Sequence, residues 1–298
     1  MYNDLYKIKY LKYKTKYLEL KGGTMALQDR ETSERRIKRE NNTIKFLTYN
    51  ILVATPFMEN GVINSGEFRH WNNRKDNIKK VISKYDIGVL VESIESKLSY
   101  ILPYNFDYIF GNKIGLEDGT TIFFNKDKFI FKEKLVKKIK HGDTQVLVVG
   151  IFEQKKSNKL FAVAGLHLKS GYGNFEHKRQ AQMINALFDI KDFIKKYNNI
   201  PVILAGDLNS DTYKNDKYPN LSLNAPLKPH FDYKRIPLIK NQITYHYHHK
   251  SIFDYIFVKG EIGFTTSKTG VTATTSTIAP NASQGSDHFP LSAELELL

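Results

Sequence analysis

From residue 43 onward the chain repeats one unit: a short apolar run rich in β-branched and aromatic residues that stops on a polar cluster. Residues 44–51, 87–91, 120–125, 145–153, 160–168, 201–204, 252–258 and 291–298 all read this way. Apolar runs of this length, bounded by turn-forming residues, are strands. Two segments carry helical spacing instead. Residues 72–84 place Ile78, Val81 and Ile82 on one face, and residues 178–197 do the same with Met183, Ile184, Leu187, Ile190 and Ile194. Strands outnumber helices and the middle spacings have hairpin length. The pattern therefore predicts an α/β (α+β) fold with two packed mixed β-sheets flanked by helices, not a doubly wound parallel sheet.

The same runs exclude other classes. The longest, near residues 87–91 and 161–166, fall well short of the ~18 apolar residues that a membrane span needs. The basic N-terminus is followed by no apolar core of a secretory signal, so the expected setting is intracellular and cytoplasmic. There is no cysteine among the 298 residues, which removes disulfides, thiolate metal sites and cysteine nucleophiles. Any catalysis must use carboxylates, imidazoles, hydroxyls or amides. A formal charge of +14 calls for an anionic partner: nucleic acid, an acidic membrane surface or a phosphorylated substrate. Residues 41–298 carry 34 Lys+Arg against 25 Asp+Glu, so the body itself is basic.

Residues 1–23 differ from the rest. Tyr6, Tyr10, Tyr13, Tyr17 and Leu20 recur at helical spacing with lysines between, and Gly22-Gly23 ends the pattern. This predicts a basic amphipathic helix over 1–23, followed by a charged linker over 24–42 and the main body over 43–298. Such a helix can dock on its own domain, bind a protein partner or a second copy, or lie on a membrane or nucleic acid. The lysine–tyrosine segment also resembles one found at the N-termini of otherwise unrelated giant DNA virus proteins. That resemblance implies an appended tag and association with a virion.

The polar clusters carry the chemistry. They are Thr48-Tyr49-Asn50, Val91-Glu92-Ser93, Gly165-Leu166-His167-Leu168-Lys169-Ser170, Gly206-Asp207-Leu208-Asn209-Ser210, Phe253-Asp254-Tyr255 and Ser286-Asp287-His288-Phe289-Pro290. Singly, each is an ordinary turn after a strand. Six in this order, over about residues 44–298, resemble the endonuclease/exonuclease/phosphatase superfamily. The resemblance implies a four-layer sandwich and hydrolysis of phosphoesters with magnesium or manganese.

Residue by residue, it implies that Glu92 is a metal ligand assisted by Asn50 and Asp287, with Glu95 three residues on as the competing carboxylate. Asp207 matches the carboxylate that orients or deprotonates the attacking water, and Asn209 the amide that binds the scissile phosphate. His288 matches the phosphate-contacting imidazole, held by Asp254. His167 matches a donor to the phosphate or leaving oxygen, and Lys169 is a further candidate phosphate contact. Many members carry Gln before the metal-binding Glu where this chain has Val91. Outside the series, His246 and His248 share a strand face, but no acidic residue nearby in sequence completes a zinc site.

Asn50-Ile51-Leu52, Trp71 with Arg74, and His167 followed by Arg179 and Gln182 are most similar to the Ccr4 and nocturnin branch. That similarity implies RNA 3′-exonuclease activity. A DNA endonuclease, a DNA-repair phosphodiesterase and a phosphatase of small phosphorylated molecules are the alternatives within enzymes. A nucleic-acid-binding or virion structural protein is the alternative outside them.

Overall fold

The structure, a computed structural model, describes residues 42–52, 70–140, 144–171, 175–210, 232–240, 242–246, 250–269 and 285–298. The expected N-terminal helix, all but Asn42 of the linker, and His248 lie outside these residues.

Two six-stranded sheets form the centre. The first has the order β13-β14-β1-β2-β4-β3 and the second β5-β6-β7-β8-β12-β9. The strands of the first sheet are β1 (Thr43–Asn50), β2 (Ile87–Ile94), β3 (Phe106–Asn112), β4 (Asp118–Asn125), β13 (Ile262–Phe264) and β14 (Leu291–Leu297). The second holds β5 (Phe129–Lys138), β6 (Val146–Gln154), β7 (Lys159–His167), β8 (Val202–Asp207), β9 (Lys234–Arg235) and β12 (Asp254–Lys259). A two-stranded ribbon pairs β10 (Tyr245–His246) with β11 (Lys250–Ser251). Helices α1 (Trp71–Ile82), α2 (Glu95–Ile101) and α3 (Glu176–Ile194) complete the layers.

The core explains the layering. Phe46, Val89, Val91, Ile122, Phe152, Phe161, Val163, Ile203, Ile256 and Leu295 meet between the sheets, all fully or nearly fully buried. Each contributes about 1.5–3 kcal/mol of burial. Leu47, Leu90 and Phe123, on the other face of the first sheet, pack on Ile78, Ile82, Leu98 and Ile101 of α1 and α2. Ala162, Ala164, Leu166 and Leu204 of the second sheet likewise receive Met183, Leu187, Ile190 and Ile194 of α3. Helix, sheet, sheet and helix layers follow, as expected. Among the described residues no helix is long and apolar enough to cross a membrane.

Two parallel pairs set the direction of the sandwich. β1 pairs parallel with β2 across α1, and β7 with β8 across α3. Parallel neighbours need such crossovers, and they bring the C-terminal ends of both strands to the same side. The sheets also approach closely near that side. A Cβ on Gly165 would lie 2.8 Å from Thr120 Cγ2 and 3.0 Å from Val89 Cγ1.

Candidate active site

Asn50 ends β1, His167 ends β7 and Asp207 ends β8, with His167 and Asp207 aligned across the parallel pair. Asp254 opens β12 opposite Asp207 in the antiparallel register. Glu92 is not at a strand end, as its sequence position suggested. β2 continues to Ile94, and Glu92 sits in a bulge where pairing with β4 shifts between Val91 and Ser93. Its φ is 54°, a left-handed conformation that is unusual for a glutamate. Bulges re-aim a side chain, and backbone strain of this kind gathers at functional sites.

The side chains converge. The Asn50 amide nitrogen donates to Glu92 Oε1 and to Asp207 Oδ2, both at 3.0 Å, while its Oδ1 accepts from the Leu52 amide. His167 Nε2 lies 3.8 Å from Glu92 Oε1 and from Asp207 Oδ2. His288 Nε2 faces Asp207 Oδ2 at 3.5 Å, and its Nδ1 bonds Asp254 Oδ2 at 2.8 Å. Asn209 has φ 51°, its amide N–H donates to Asp207 Oδ1 and its side chain donates to the Leu168 carbonyl. Glu92, His167 and Asp207 form one compact ligand group, and Asp207, Asp254 and His288 a second sharing Asp207.

Two expected residues stand outside these groups. Asp287 accepts from Ser286 Oγ, and its carbonyl accepts from the His246 amide of the ribbon. Its charge still acts on Glu92 and His288. Lys169 is half-buried, with its ammonium 5.6 Å from the Phe175 ring centre. Glu95, the competing carboxylate, is exposed on the first turn of α2. Val91 is fully buried in the inter-sheet core.

Burial and charge set the protonation states. Burial pushes Glu92 above the ordinary carboxyl range, partly opposed by Lys113. Burial raises Asp207 to about 6, with His288 opposing and Asp254 reinforcing the shift. For His288 burial disfavours the imidazolium, but Asp254 and Asp207 outweigh it and hold its pKa well above the usual value. His167 goes the other way: burial, then Lys113 and His288, keep it neutral at physiological pH. Two imidazoles on one carboxylate thus differ in charge.

Glu92 Oε2 is buried with no hydrogen-bond partner. A buried carboxylate oxygen without a donor, beside a second carboxylate and an amide, is what a hard divalent cation requires. The donor set therefore fits a metal.

Sequence reading passed over several supports of this site. Lys113 closes β3 at the hairpin to β4, is nearly buried, and pairs with Asp118. Helix α3 anchors both loops of the second sheet. Glu176 accepts from Ser210 Oγ and is paired with Arg179, whose guanidinium donates to the Lys169 and Gly171 carbonyls. Gln182 accepts from the Lys169 amide. Arg179 and Gln182 stood out in the sequence only through the likeness to the Ccr4 and nocturnin branch, with no such role attached, whereas Lys113 carried no signal.

The Endonuclease/Exonuclease/phosphatase family pattern matches residues 47–288, most of the chain. The chain belongs to this family. It is a phosphoester hydrolase of a kind that typically works with a divalent metal. No curated protein sequence matches. Among solved structures it is similar to ANGEL2, described as a 2′,3′-cyclic phosphatase, at 19% identity over 86% of this chain and 96% of that one, with a TM-score of 0.72. A family member from Bacteroides thetaiotaomicron is 21% identical over 86% and 98% of the two chains, with a TM-score of 0.67. The human nocturnin catalytic domain is 18% identical over 86% and 94%, with a TM-score of 0.64. At these identities the likeness concerns the fold.

Proposed function

We propose that the protein is a magnesium- or manganese-dependent phosphodiesterase acting on nucleic acid, in the manner of an RNA 3′-exonuclease. The observation that carries this reading is the convergence of Asn50, Glu92, Asp254 and both imidazoles on the shared carboxylate of Asp207. A binding scaffold has no physical use for that arrangement. The basic body supports a polyanionic substrate over a neutral one.

Glu92 and Asn50, with Asp287 behind them, would hold the cation, which when bound supplies Lewis-acid stabilisation of charge on the phosphate oxygens. Asp207 takes the proton of the attacking water, and its raised pKa suits it to that exchange near neutral pH. The Asn209 amide and the His288 imidazolium donate to the phosphate oxygens as charge builds. Asp254 fixes the His288 ring through Nδ1 and leaves Nε2 facing the reaction. His167, being neutral, acts as a hydrogen-bond donor to the leaving oxygen, so the mobile proton belongs to the Asp207–His288 pair.

The likeness to ANGEL2, a 2′,3′-cyclic phosphatase, brings a 2′,3′-cyclic phosphate into the substrate class to be tried. The test is a parallel assay of single-stranded RNA, poly(A), RNA with a 2′,3′-cyclic phosphate end, duplex DNA, abasic DNA and a small phosphate monoester, with magnesium and with chelator. Cleavage of RNA that is abolished by chelator and by Asp207→Ala is expected. Cleavage only of a small phosphorylated molecule, or full activity in chelator, refutes the proposal.

A further inference from the structure

Lys45 stands near the start of β1, five residues before Asn50, and borders a groove of about 430 Å³ on the first sheet. Lys84, just beyond α1, and Lys268 line the same groove, together with the hydroxyl-bearing Thr265, Thr266 and Ser292. Its floor is rigid. Lys268 and Ser292 exchange two backbone hydrogen bonds of 2.9 Å, and the Thr265 amide donates to the Glu294 carbonyl.

The charges in this groove are unspent. Lys113, Lys128, Lys132, Lys137 and Lys196 each have a carboxylate within ion-pair distance. Among the described residues Lys45, Lys84 and Lys268 have none. The carboxylate nearest in the chain pairing, Asp86, already accepts from the Lys45 backbone amide and the Lys128 ammonium. Glu294 is the one acidic side chain in the lining, so three cations face one anion. Neither the metal-binding group nor the His288 pair extends here.

We propose that this groove is a second, non-catalytic anion site that holds the phosphodiester backbone of a polynucleotide whose scissile phosphate lies at Asp207. The proposal rests on the polynucleotide reading of the active site. Ammonium groups match phosphate oxygens, which accept and never donate, while the Ser292 and Thr265 hydroxyls are already turned to the Lys268 and Glu294 carbonyls and frame the groove. Spacing gives the site a length threshold. Five residues of β1 span about 17 Å at ~3.4 Å each. A strand that stays stacked advances ~3.4 Å along its axis for each phosphate, so it must continue for roughly five nucleotides to reach the groove. A trinucleotide occupies the catalytic rim alone.

The experiment uses the full chain and the variant Lys45→Gln/Lys84→Gln/Lys268→Gln, with melting temperature as a folding control. Binding of a fluorescein-labelled 20-nucleotide RNA is followed by anisotropy across a salt series in chelator, and cleavage of the 20-mer and of a trinucleotide is followed with magnesium. Loss of three contacts should make the slope of log K against log salt shallower by about 2, at ~0.7 for each phosphate on a single strand. KM for the 20-mer should rise about tenfold or more while trinucleotide kinetics stay at the wild-type level. Unchanged affinity and slope for the 20-mer overturn the proposal, as does equal loss on both substrates. If the triple variant fails to fold, Lys84→Gln and Lys268→Gln singly should each shift the slope by about 0.7, and no shift in either overturns it. Acidic lipid vesicles are the competing polyanion, and vesicle binding that is tighter than RNA binding and lost in the variant overturns the nucleic-acid assignment. A wild-type chain that cleaves no polynucleotide removes the reading of the active site, whereas the anisotropy arm still decides the groove.

Discussion

Arg74 is completely buried on α1, beneath the active-site rim. Its guanidinium donates to the carbonyls of Ile51 at 3.1 Å, Leu52 at 2.5 Å and Gly285 at 2.5 Å. The first two residues follow Asn50, and the third precedes Ser286-Asp287-His288. One side chain thus ties together the segments that carry Asn50, Asp287 and His288. Burial lowers its pKa only to about 10, so it remains charged at neutral pH. Arg74→Met keeps much of the apolar stem and removes every donor. Hydrogen bonds to a charged group contribute about 1.5–3 kcal/mol each, and the three are coupled through one group. The expected loss is therefore about 3–5 kcal/mol, the range seen on breaking a buried charged contact. Urea unfolding should show a lower midpoint at unchanged slope, since the exposed surface is the same. At a urea-free temperature where the variant is folded, kcat should fall at least tenfold, because Asn50 and His288 lose their shared anchor. Arg74→Lys, with its charge but no fork, should fall between. A stability loss under about 1 kcal/mol together with wild-type kcat would refute the reasoning.

Gly206→Ala should abolish folding or lose more than about 3 kcal/mol, because its φ is +145° and a Cβ would lie 1.8 Å from the Leu166 carbonyl oxygen. Gly115→Ala, at φ +74° with no atom within 4 Å, is the control and should lose only about 1–2 kcal/mol by thermal melting. Glu133 accepts from Lys196 and Tyr197, whose hydrogen bonds hold its carboxyl below the ordinary value of 4.5. A lowered folded-state pKa stabilises above the ordinary value and loses that contribution as pH falls through the folded one. The stability difference between wild type and Glu133→Gln should therefore be about 0.2–1 kcal/mol at pH 7 and vanish near pH 2, read by chemical denaturation at both. Removing residues 1–40 should leave cleavage near the full-length level, because Ile44–Leu298 is a compact unit that carries all the site residues. A folded but inactive truncation would assign the N-terminal segment to the substrate site.

What the sequence made legible follows from local physics. Central strands such as β2, β7 and β8 are apolar on both faces and announce themselves, and so do the polar residues that stop them. Strand β5, Phe-Ile-Phe-Lys-Glu-Lys-Leu-Val-Lys-Lys, is an edge strand, mostly exposed and blunted with lysines, so its composition reads as loop. β3, the edge of the other sheet, escapes for a similar reason. The conformation of Glu92 depends on how β2 pairs with β4, which no neighbouring residue encodes. Lys113 reads as one more surface lysine until the hairpin folds it toward Glu92 and His167. Arg74, among Asn72, Asn73 and Lys75, enters the sequence reading only through a family likeness, and the carbonyls it meets reveal what it does.

The double donation from Asn50 has a consequence in time. Its one amide nitrogen reaches Glu92 in the first sheet and Asp207 in the second, 157 positions further along the chain. During synthesis, a chain that has emerged only as far as β4 holds Asn50 and Glu92 but not Asp207, Asp254 or His288. Pairing partners so distant in sequence also closes late in folding, since the large loop entropy must be overcome first. A nascent or half-docked chain is therefore latent: it can neither complete the metal-binding group nor shuttle the proton. Hydrolytic competence becomes a report that the two halves have met.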